Sequence, residues 1–447
     1  MARALYSAAL WLAQPLYLLR LWWRGRAEPP YREALGERFG RHAGAPSAGW
    51  LWLHAVSLGE TRAAAALVDA LRERRPGLRL LLTHSTATGR EAGRELLRAG
   101  DRQSWLPFDT PGAVRRFLSH FRPALGVLME TEVWPNLLTS ARAQGVPLVL
   151  ANARLSEKSR RQGERYAALI RPAVEALSLV LAQTEADAQR LRSAGARDVR
   201  VCGNLKFDVA PDPALVARGA AWRATLAGRP VLLFAVSREG EEAPLLAAWA
   251  CRRAALPGRP LLVIVPRHPQ RFDEVAAAMQ AAGLAVARRS AWGEQAPSDG
   301  ALAADAWLGD SMREMPLYYG LAQVALLGGS FAPLGGQNLI EALACGCPVV
   351  MGPHTFNFAE AAERAEAAGA ALRAETVDAA LDAALALLAD AARLARLGEA
   401  ARAFAAGHRG AARRMAEAIV ALWPEVQSGT GSHRSPRDAP PCPPSSS

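Results

Sequence analysis

The sequence predicts an α/β protein of two Rossmann-like domains facing a central cleft, preceded by an N-terminal membrane-anchor helix. Three observations carry this. Strand-length apolar runs alternate with helical runs at spacings of roughly 20 to 30 residues, the pattern of parallel sheets covered by helices on both faces. The alternation breaks once, around Pro211-Asp212-Pro213, and then restarts. The chain also opens on an apolar, Trp-rich run of about the length that spans a bilayer.

Residues 1–27 are read as the anchor. Ala4 to Trp23 is apolar, interrupted by Gln14, Pro15 and Arg20. Trp11, Tyr17, Trp22 and Trp23 suit a membrane interface, and Arg20, Arg24 and Arg26 would hold the C-terminal bulk in the cytoplasm. Such an anchor either spans the bilayer or lies in its interface, and a buried helix is the competing reading. A cleaved signal peptide fits poorly, because Arg3 is its only basic residue and no small-x-small site follows.

Residues 28–208 form the first α/β domain, opening on a basic connector from Glu28 to Gly49. Strands are expected from near Leu51, Leu78, Ser104, Ala124, Pro147, Ser178 and Val199. Helices are expected at Glu60 to Arg74, Gly89 to Arg98, Pro111 to Phe121, Pro135 to Ala143, Lys158 to Leu177 and Glu185 to Ala194. Residues 209–229 read as a linker. In the second domain, 230–424, strands are expected at Pro230 to Val236, Leu261 to Val265, Leu284 to Ala287, Ala306 to Leu308, Gln323 to Leu327 and Pro348 to Met351. Its helices are expected at Gly240 to Ala254, Arg271 to Ala281, Met312 to Gly320 and Asn338 to Cys345, with Phe358 to Leu422 mostly Ala-rich helix. Residues 425–447 are polar, Pro/Ser-rich and expected to be disordered.

Hydrophobic residues make up 51% of the chain and charged residues 21%, which leaves ample material for two cores. Lys+Arg number 53 against 42 Asp+Glu, a formal charge of +11, which points to an anionic partner. No basic-aromatic motif appears, so nucleic acid is not expected. Five cysteines without C-x-x-C spacing argue against a disulfide framework or a zinc site. Only Lys158 and Lys206 are lysines, where Arg would not be equivalent at a site needing a compact charge.

The candidate chemistry sits where strands end and helices begin. Ser57-Leu-Gly-Glu60 follows the first strand. Ser57 and Glu60 have the spacing of a capping box, but Glu60 also has the place of a general base, with Ser57 and Gly59 as site candidates. A base would point into the cleft, not back at Ser57. Glu130 and Glu132 follow an apolar strand and are either helix-start acids or site acids. Arg154 lies in a polar loop opening a helix, suited to an anion. Lys206 stands at the end of the first domain, where it could stabilise a phosphate. In the second domain Ser237 and Arg238, then Pro266 and Arg267, follow strands. Gly-rich turns lead into Asn338, whose helix start suits a nucleotide phosphate, with Glu341 placed for ribose hydroxyls. No metal-ligand spacing, Walker A or G-x-G-x-x-G pattern is present, so no metal or cofactor is expected.

His54-Ala-Val-Ser-Leu-Gly-Glu60, Glu130-Thr-Glu-Val-Trp-Pro-Asn136, Asn152-Ala-Arg-Leu-Ser156, Gly203-Asn-Leu-Lys-Phe-Asp208, Gly328-Gly-Ser-Phe331, Asn338-Leu-Ile-Glu341 and Met351-Gly-Pro-His-Thr-Phe-Asn-Phe358 occur in this order. Together they closely resemble the 3-deoxy-D-manno-octulosonic acid (Kdo) transferases, over roughly residues 1 to 424. The resemblance implies a metal-independent glycosyltransferase of the GT-B architecture at the cytoplasmic face of the inner membrane. It implies CMP-Kdo as donor and a lipid A precursor as acceptor, in lipopolysaccharide synthesis. It casts Glu60 as general base, with Glu130 and Lys206 stabilising the transition state. Pro266, Arg267, Met312, Arg313, Glu314, Asn338, Leu339, Ile340 and Glu341 would hold CMP. The family pattern Ser/Thr-His-Glu-Gly-Glu-Glu is here Ser237-Arg238-Glu239-Gly240-Glu241-Glu242, so a titratable role at Arg238 is in doubt. Alternatives are another GT-B transferase or an epimerase using a UDP-sugar, or a non-catalytic lipid-binding membrane protein.

Overall fold

The computed structural model describes residues 1–208, 211–253, 256, 258–293 and 296–423. The expected disorder of 425–447 falls outside the described residues. The first sheet contains β1 (Trp50–His54), β2 (Leu80–His84), β3 (Arg102–Trp105), β4 (Pro123–Met129), β5 (Leu148–Ala153), β6 (Leu179–Ala182) and β7 (Val199–Val201). Its order is β3-β2-β1-β4-β5-β6-β7, and every pairing is parallel. The second contains β8 (Val231–Ser237), β9 (Leu261–Pro266), β10 (Val286–Arg288), β11 (Ala306–Leu308), β12 (Val324–Leu327), β13 (Val349–Met351) and β14 (Ala371–Arg373). Its order, β10-β11-β9-β8-β12-β13-β14, is again parallel throughout. In each sheet the order reverses beside the first strand, which opens a crevice at the strands' carboxyl ends. Central strands such as Trp50–His54 and Leu261–Pro266 are buried along their whole length, because helices cover both faces.

Three expectations change. The segment read as a linker holds a helix, Pro213–Thr225, begun by an Asp212 side chain that accepts from Ala214 N and by Pro213 at its first turn. Its Trp222 is buried in the second domain's core. The run expected as one helix, Lys158 to Leu177, is two, Glu157–Glu164 and Ala167–Val174, separated where Tyr166 leaves helical geometry. The Ala-rich end contains β14, and its last helix, Ala411–Ala421, crosses back to the first domain, where Ala411, Met415 and Ile419 join the core beneath β1.

That crossing is fastened at one acid. The Asp208 carboxylate, at the end of the 3-10 turn Leu205–Asp208, accepts from the backbone N–H groups of Gly410 and Ala412 at the start of the returning helix. Arg414 returns the contact by donating to Cys202 O at 2.9 Å.

Residues Ala2–Arg24 do form one helix. Tyr6 and Leu21 turn toward the first domain, with the Tyr6 hydroxyl donating to Asp109 at 3.0 Å and Leu21 packing with Tyr31 and Phe108. Leu5, Leu12, Leu16, Leu19, Trp22 and Trp23 lie exposed along the other face. Among the described residues no helix is long and apolar enough to cross a membrane. The helix has the length, but Ser7, Gln14, Arg20 and the polar contacts of its inner face dilute its apolar character, so a spanning anchor is not supported.

Replacing Asp208 by Ala should lower stability by about 1–2 kcal/mol, the scale of a lost helix cap. The check is a thermal or urea unfolding transition moved down, with the far-UV spectrum unchanged.

Candidate functional site

The strands' carboxyl ends present their loops to a cleft between the domains, with a cavity of about 1280 Å³. Arg154, Lys206 and Ile340 of the sequence candidates line it, together with Gln183, Phe358 and Arg364. The other candidates are not among its lining residues.

Glu60 lies in the first turn of the helix Leu58–Arg74. Ser57 caps that helix, its Oγ accepting from Glu60 N at 3.4 Å. The Glu60 carboxylate turns back: it accepts from Val56 N at 2.8 Å and from the Ser57 hydroxyl at 3.3 Å. This corrects the expectation that it points away from Ser57. A half-buried carboxylate beside unpaired helix-start N–H groups gains by taking one of them. Even so, burial raises its pKa above the ordinary value; the Val56 N–H opposes the rise, and the nearby charges of Glu130 and Glu132 add to it. Gly59 beside it is exposed.

Glu130 follows β4 and is buried, with φ +58°. Its Oε2 accepts from Arg154 Nε at 2.9 Å, while the Arg154 side chain is largely exposed. Glu132 accepts from Trp134 Nε1 at 2.7 Å and stands 3.6 Å from His54 Nε2. Next to this acid group a chain of amides sets the Lys206 turn. The buried Asn152, at φ +52°, accepts from Leu205 N at 3.0 Å. Gln183 donates to Asn152 O at 2.9 Å and accepts from Asn204 Nδ2 at 2.9 Å. Lys206 Nζ lies 5.4 Å from the centre of the Phe358 ring, and among the described residues it makes no hydrogen bond or ion pair. Gln183 has no motif around it that sequence reasoning could have used.

In the second domain the acids after β8 are spent on the scaffold. Glu241 accepts from Arg238 N, Gly329 N, Phe331 N and Ala332 N, and so pins the Gly-rich turn. Glu242 takes Ser237 Oγ at 2.7 Å and both terminal nitrogens of Arg271. Arg238 pairs with its neighbour Glu239 at 3.1 Å. Pro266 is buried at the end of β9, and Arg267 N donates to Ser237 O at 3.0 Å. The Arg267 guanidinium finds no partner among the described residues. Met312 is exposed, Arg313 reaches Glu95 of the first domain at 3.3 Å, and Glu314 pairs with the buried Arg289 at 2.8 Å. Asn338 caps the short helix Leu339–Ala344 by accepting from Ile340 N at 3.1 Å, while Leu339 and Ile340 are buried. Glu341 is half-buried without a hydrogen-bond partner among the described residues, and burial raises its pKa. No group of three or more metal-ligating side chains is assembled among the described residues.

Two Rossmann-like domains facing one cleft, with cations and a carboxylate raised by burial in the loops around it, are the architecture of nucleotide-sugar enzymes. The family described as "3-Deoxy-D-manno-octulosonic-acid transferase (kdotransferase)" matches residues 33–209, and "Glycosyl transferases group 1" matches 305–404. The Bordetella pertussis 3-deoxy-D-manno-octulosonic acid transferase is 53% identical, over 94% of this chain and 99% of that protein. The Haemophilus influenzae enzyme of that name is 33% identical, over 80% and 84%. The crystal structure of UDP-GlcNAc 2-epimerase from Neisseria meningitidis bound to UDP-GlcNAc shares the fold, with a TM-score of 0.54 at 15% identity, over 83% of this chain and 99% of that one. This chain belongs to the 3-deoxy-D-manno-octulosonic acid (Kdo) transferase family and is a glycosyltransferase.

Asn152→Ala removes the acceptor for Leu205 N and leaves a residue without a side-chain hydrogen bond at positive φ. The expected loss is about 2 kcal/mol in urea unfolding, with turnover reduced because the Lys206 turn is freed.

Proposed function

We propose that the enzyme transfers Kdo from CMP-Kdo to a hydroxyl of a lipid A precursor (lipid IVA), without a metal. Residues 28–208 take the acceptor and 230–424 the donor. Glu60 removes the proton from the acceptor hydroxyl. That oxygen bonds to the anomeric carbon of Kdo as the bond from this carbon to the phosphate oxygen breaks. CMP leaves with the electron pair, and the proton remains on Glu60. Glu130 and Lys206 stabilise the charge that develops between the two sugars.

The observation that carries this is that the first domain holds both a carboxylate raised by burial, Glu60, and a lysine, Lys206, without a hydrogen-bond or ion-pair partner among the described residues. Hydrogen bonds from Val56 and Ser57 occupy part of the Glu60 carboxylate and fix its orientation. A carboxylate has about four acceptor positions, so others remain for a substrate hydroxyl. Arg267 and Glu341, both without partners among the described residues, suit the two ends of a nucleoside phosphate: the guanidinium its phosphate, the carboxylate its ribose hydroxyls. Pro266, Met312, Arg313, Glu314, Asn338, Leu339 and Ile340 complete the donor surface in this reading.

The acceptor is an acylated, phosphorylated lipid, and the helix Ala2–Arg24 suits its surface. Its exposed leucines and tryptophans would lie in the interface of the inner membrane on the cytoplasmic side, with Arg20, Arg24 and Arg26 near anionic headgroups. This interfacial posture needs no spanning length.

Purified enzyme given CMP-Kdo and a tetraacylated lipid A precursor, with chelator present, should form Kdo-lipid A by mass spectrometry; no product under any condition refutes the reading. Glu60→Gln should lower kcat by roughly 10²- to 10⁴-fold, the usual size of general-base loss, with Tm nearly unchanged. Because Glu60 must be unprotonated and its pKa is raised, kcat/KM should climb with pH through a limb above the ordinary 4.5, a limb absent in the variant. Arg267→Ala and Glu341→Ala should each weaken CMP binding in calorimetry by about tenfold, the value of one charge-assisted hydrogen bond, leaving the unfolding temperature in place.

A further inference from the structure

The stretch Met351-Gly-Pro-His-Thr-Phe-Asn-Phe358 supplies no group to the transfer described above, yet its loop carries two of the rings that line the cleft cavity, Phe356 and Phe358. The loop follows β13 and is pinned along its length. Gly352 N donates to Ser330 Oγ at 2.8 Å, and His354 N to Ser330 O at 3.0 Å. Arg373, on β14, donates to Gly352 O at 3.1 Å and to Thr355 Oγ1 at 3.3 Å. Asn357 fastens the loop to the Gly-rich turn: its N donates to Gly335 O at 2.9 Å and its Nδ2 to Leu334 O at 3.1 Å. A backbone fixed in this way holds its side chains in place before a ligand arrives.

Phe356 is nevertheless 64% exposed. A lone exposed apolar side chain is ordinary on a convex surface. This one stands in a concave site, on a pinned loop, with a seat made for its ring. That seat is the bare backbone of Gly335, at φ +90°, where a Cβ would lie 2.5 Å from Phe356 Cε2. Any side chain at Gly335 would push the ring away. Aromatic surface offered to a cavity with a few placed polar groups is the make-up of a ligand site.

The charges in the cavity indicate what the ring meets. Arg154, Arg190 and Arg364 in its lining are paired with Glu130, Asp187 and Glu360, and Arg414 donates to Cys202 O. Lys206 has no hydrogen-bond or ion-pair partner among the described residues, and its Nζ lies 5.4 Å from the centre of the Phe358 ring. Arg267 and Glu341, assigned to the nucleotide, are not among the lining residues. An open aromatic face beside one unpaired cation fits an acidic sugar, whose C–H face is apolar and whose acid group needs a positive charge. Kdo is such a sugar. Its 3-deoxy carbon is a methylene, which enlarges the apolar face, and its carboxylate is attached to the anomeric carbon.

We propose that Phe356 is a specificity-determining residue for the donor sugar: the apolar face of the Kdo ring, with its 3-deoxy methylene, lies on the Phe356 ring, and its carboxylate reaches Lys206 Nζ. The inference rests on the reading of CMP-Kdo as donor. It divides the donor between two surfaces, the nucleotide on Arg267 and Glu341 and the sugar on the 351–358 loop. It also sets Lys206 next to the carbon whose bond to the phosphate oxygen breaks.

The test compares Phe356→Ala, Phe356→Leu and Phe356→Tyr with the wild type in KM for CMP-Kdo, KM for the tetraacylated acceptor and calorimetric Kd for CMP alone. Phe356→Ala and Phe356→Leu should raise KM for CMP-Kdo about tenfold, the scale of a lost aromatic contact. Their Kd for CMP and KM for acceptor should stay within about twofold, because only the sugar has lost a contact. Phe356→Tyr keeps the ring and should behave as the wild type. Leucine keeps apolar bulk against Gly335, so a merely structural phenylalanine would let Phe356→Leu act as the wild type, which overturns the proposal. A Kd for CMP weakened as much as the KM for CMP-Kdo would give the ring to the base, and a raised KM for acceptor alone would give it to the lipid; either result also overturns it. Failure of the donor reading is distinct: the wild-type enzyme then turns over no CMP-Kdo, whereas an active wild type with an unaffected Phe356→Ala sinks this inference alone.

Discussion

The site depends on three sharp turns at strand ends, each made by a residue other than glycine in the left-handed region. Glu130 has φ +58°, Asn152 +52° and Val236 +58°. Such a backbone is costly, most of all for β-branched Val236, and persists only where the surroundings over-determine it. Here they do. Glu130 N donates to Ala151 O at 2.9 Å, across to β5. Asn152 coincides with a slip in the β5–β6 register, and its side chain is tied to Leu205 N. Val236 sits at a similar slip between β8 and β9, and its carbonyl is approached so closely that a Cβ at Gly328 would lie 2.2 Å from it. These slips turn the chain at the strand ends, so that Arg154 follows β5 into the loop over the cleft, while Ser237 stays buried as the last residue of β8.

The two halves of the cleft handle charge differently. In the second domain the acids after β8 are consumed by the scaffold: Glu241 by loop N–H groups, Glu242 by Arg271. Arg267 and Glu341 are left without partners among the described residues. The first domain instead gathers Glu130 and Glu132 within the field of Glu60, with Arg154 paired to Glu130. Burial makes such a group expensive. Its cost is tolerable because each carboxylate has at least one donor: Val56 N for Glu60, Arg154 for Glu130 and Trp134 for Glu132.

The periodic parts of the fold were legible because both sheets are parallel and buried, so each strand is an apolar run closed by a turn. Pro111–Phe121 and Pro135–Ala143 were readable to the residue, since proline at the first turn marks a helix start. Strand β14 was not, because Ala371–Arg373 is short and lies among alanines that favour helix. The helix Pro213–Thr225 hid behind Pro211 and Pro213, which suggest a linker but are equally a helix entrance. At the site, the motifs marked which loops matter, yet not where the side chains go. The capping geometry of Glu60 and the spacing of a base are the same sequence pattern, and only burial and neighbouring charge distinguish what the carboxylate can do. The His54–Glu132 contact joins the end of β1 to the turn after β4, a relation no local spacing reveals.

Lys206 gains its significance from the connection between the domains. The chain leaves the first domain after Asp208 and returns at Gly410, and the Asp208 carboxylate binds the returning helix to the 3-10 turn Leu205–Asp208. The two crossings are therefore one tied point, not two independent tethers. Phe207 packs there against Phe404 and His408, which fills the joint with rings. Lys206 is two residues from the tie; its backbone is set by Asn204 and its turn by Asn152, while its ammonium faces Phe358 of the second domain. A charge on a floppy surface loop would be screened and imprecise. One mounted beside the joint keeps its place relative to both sheets, which electrostatic stabilisation of a transferring group requires.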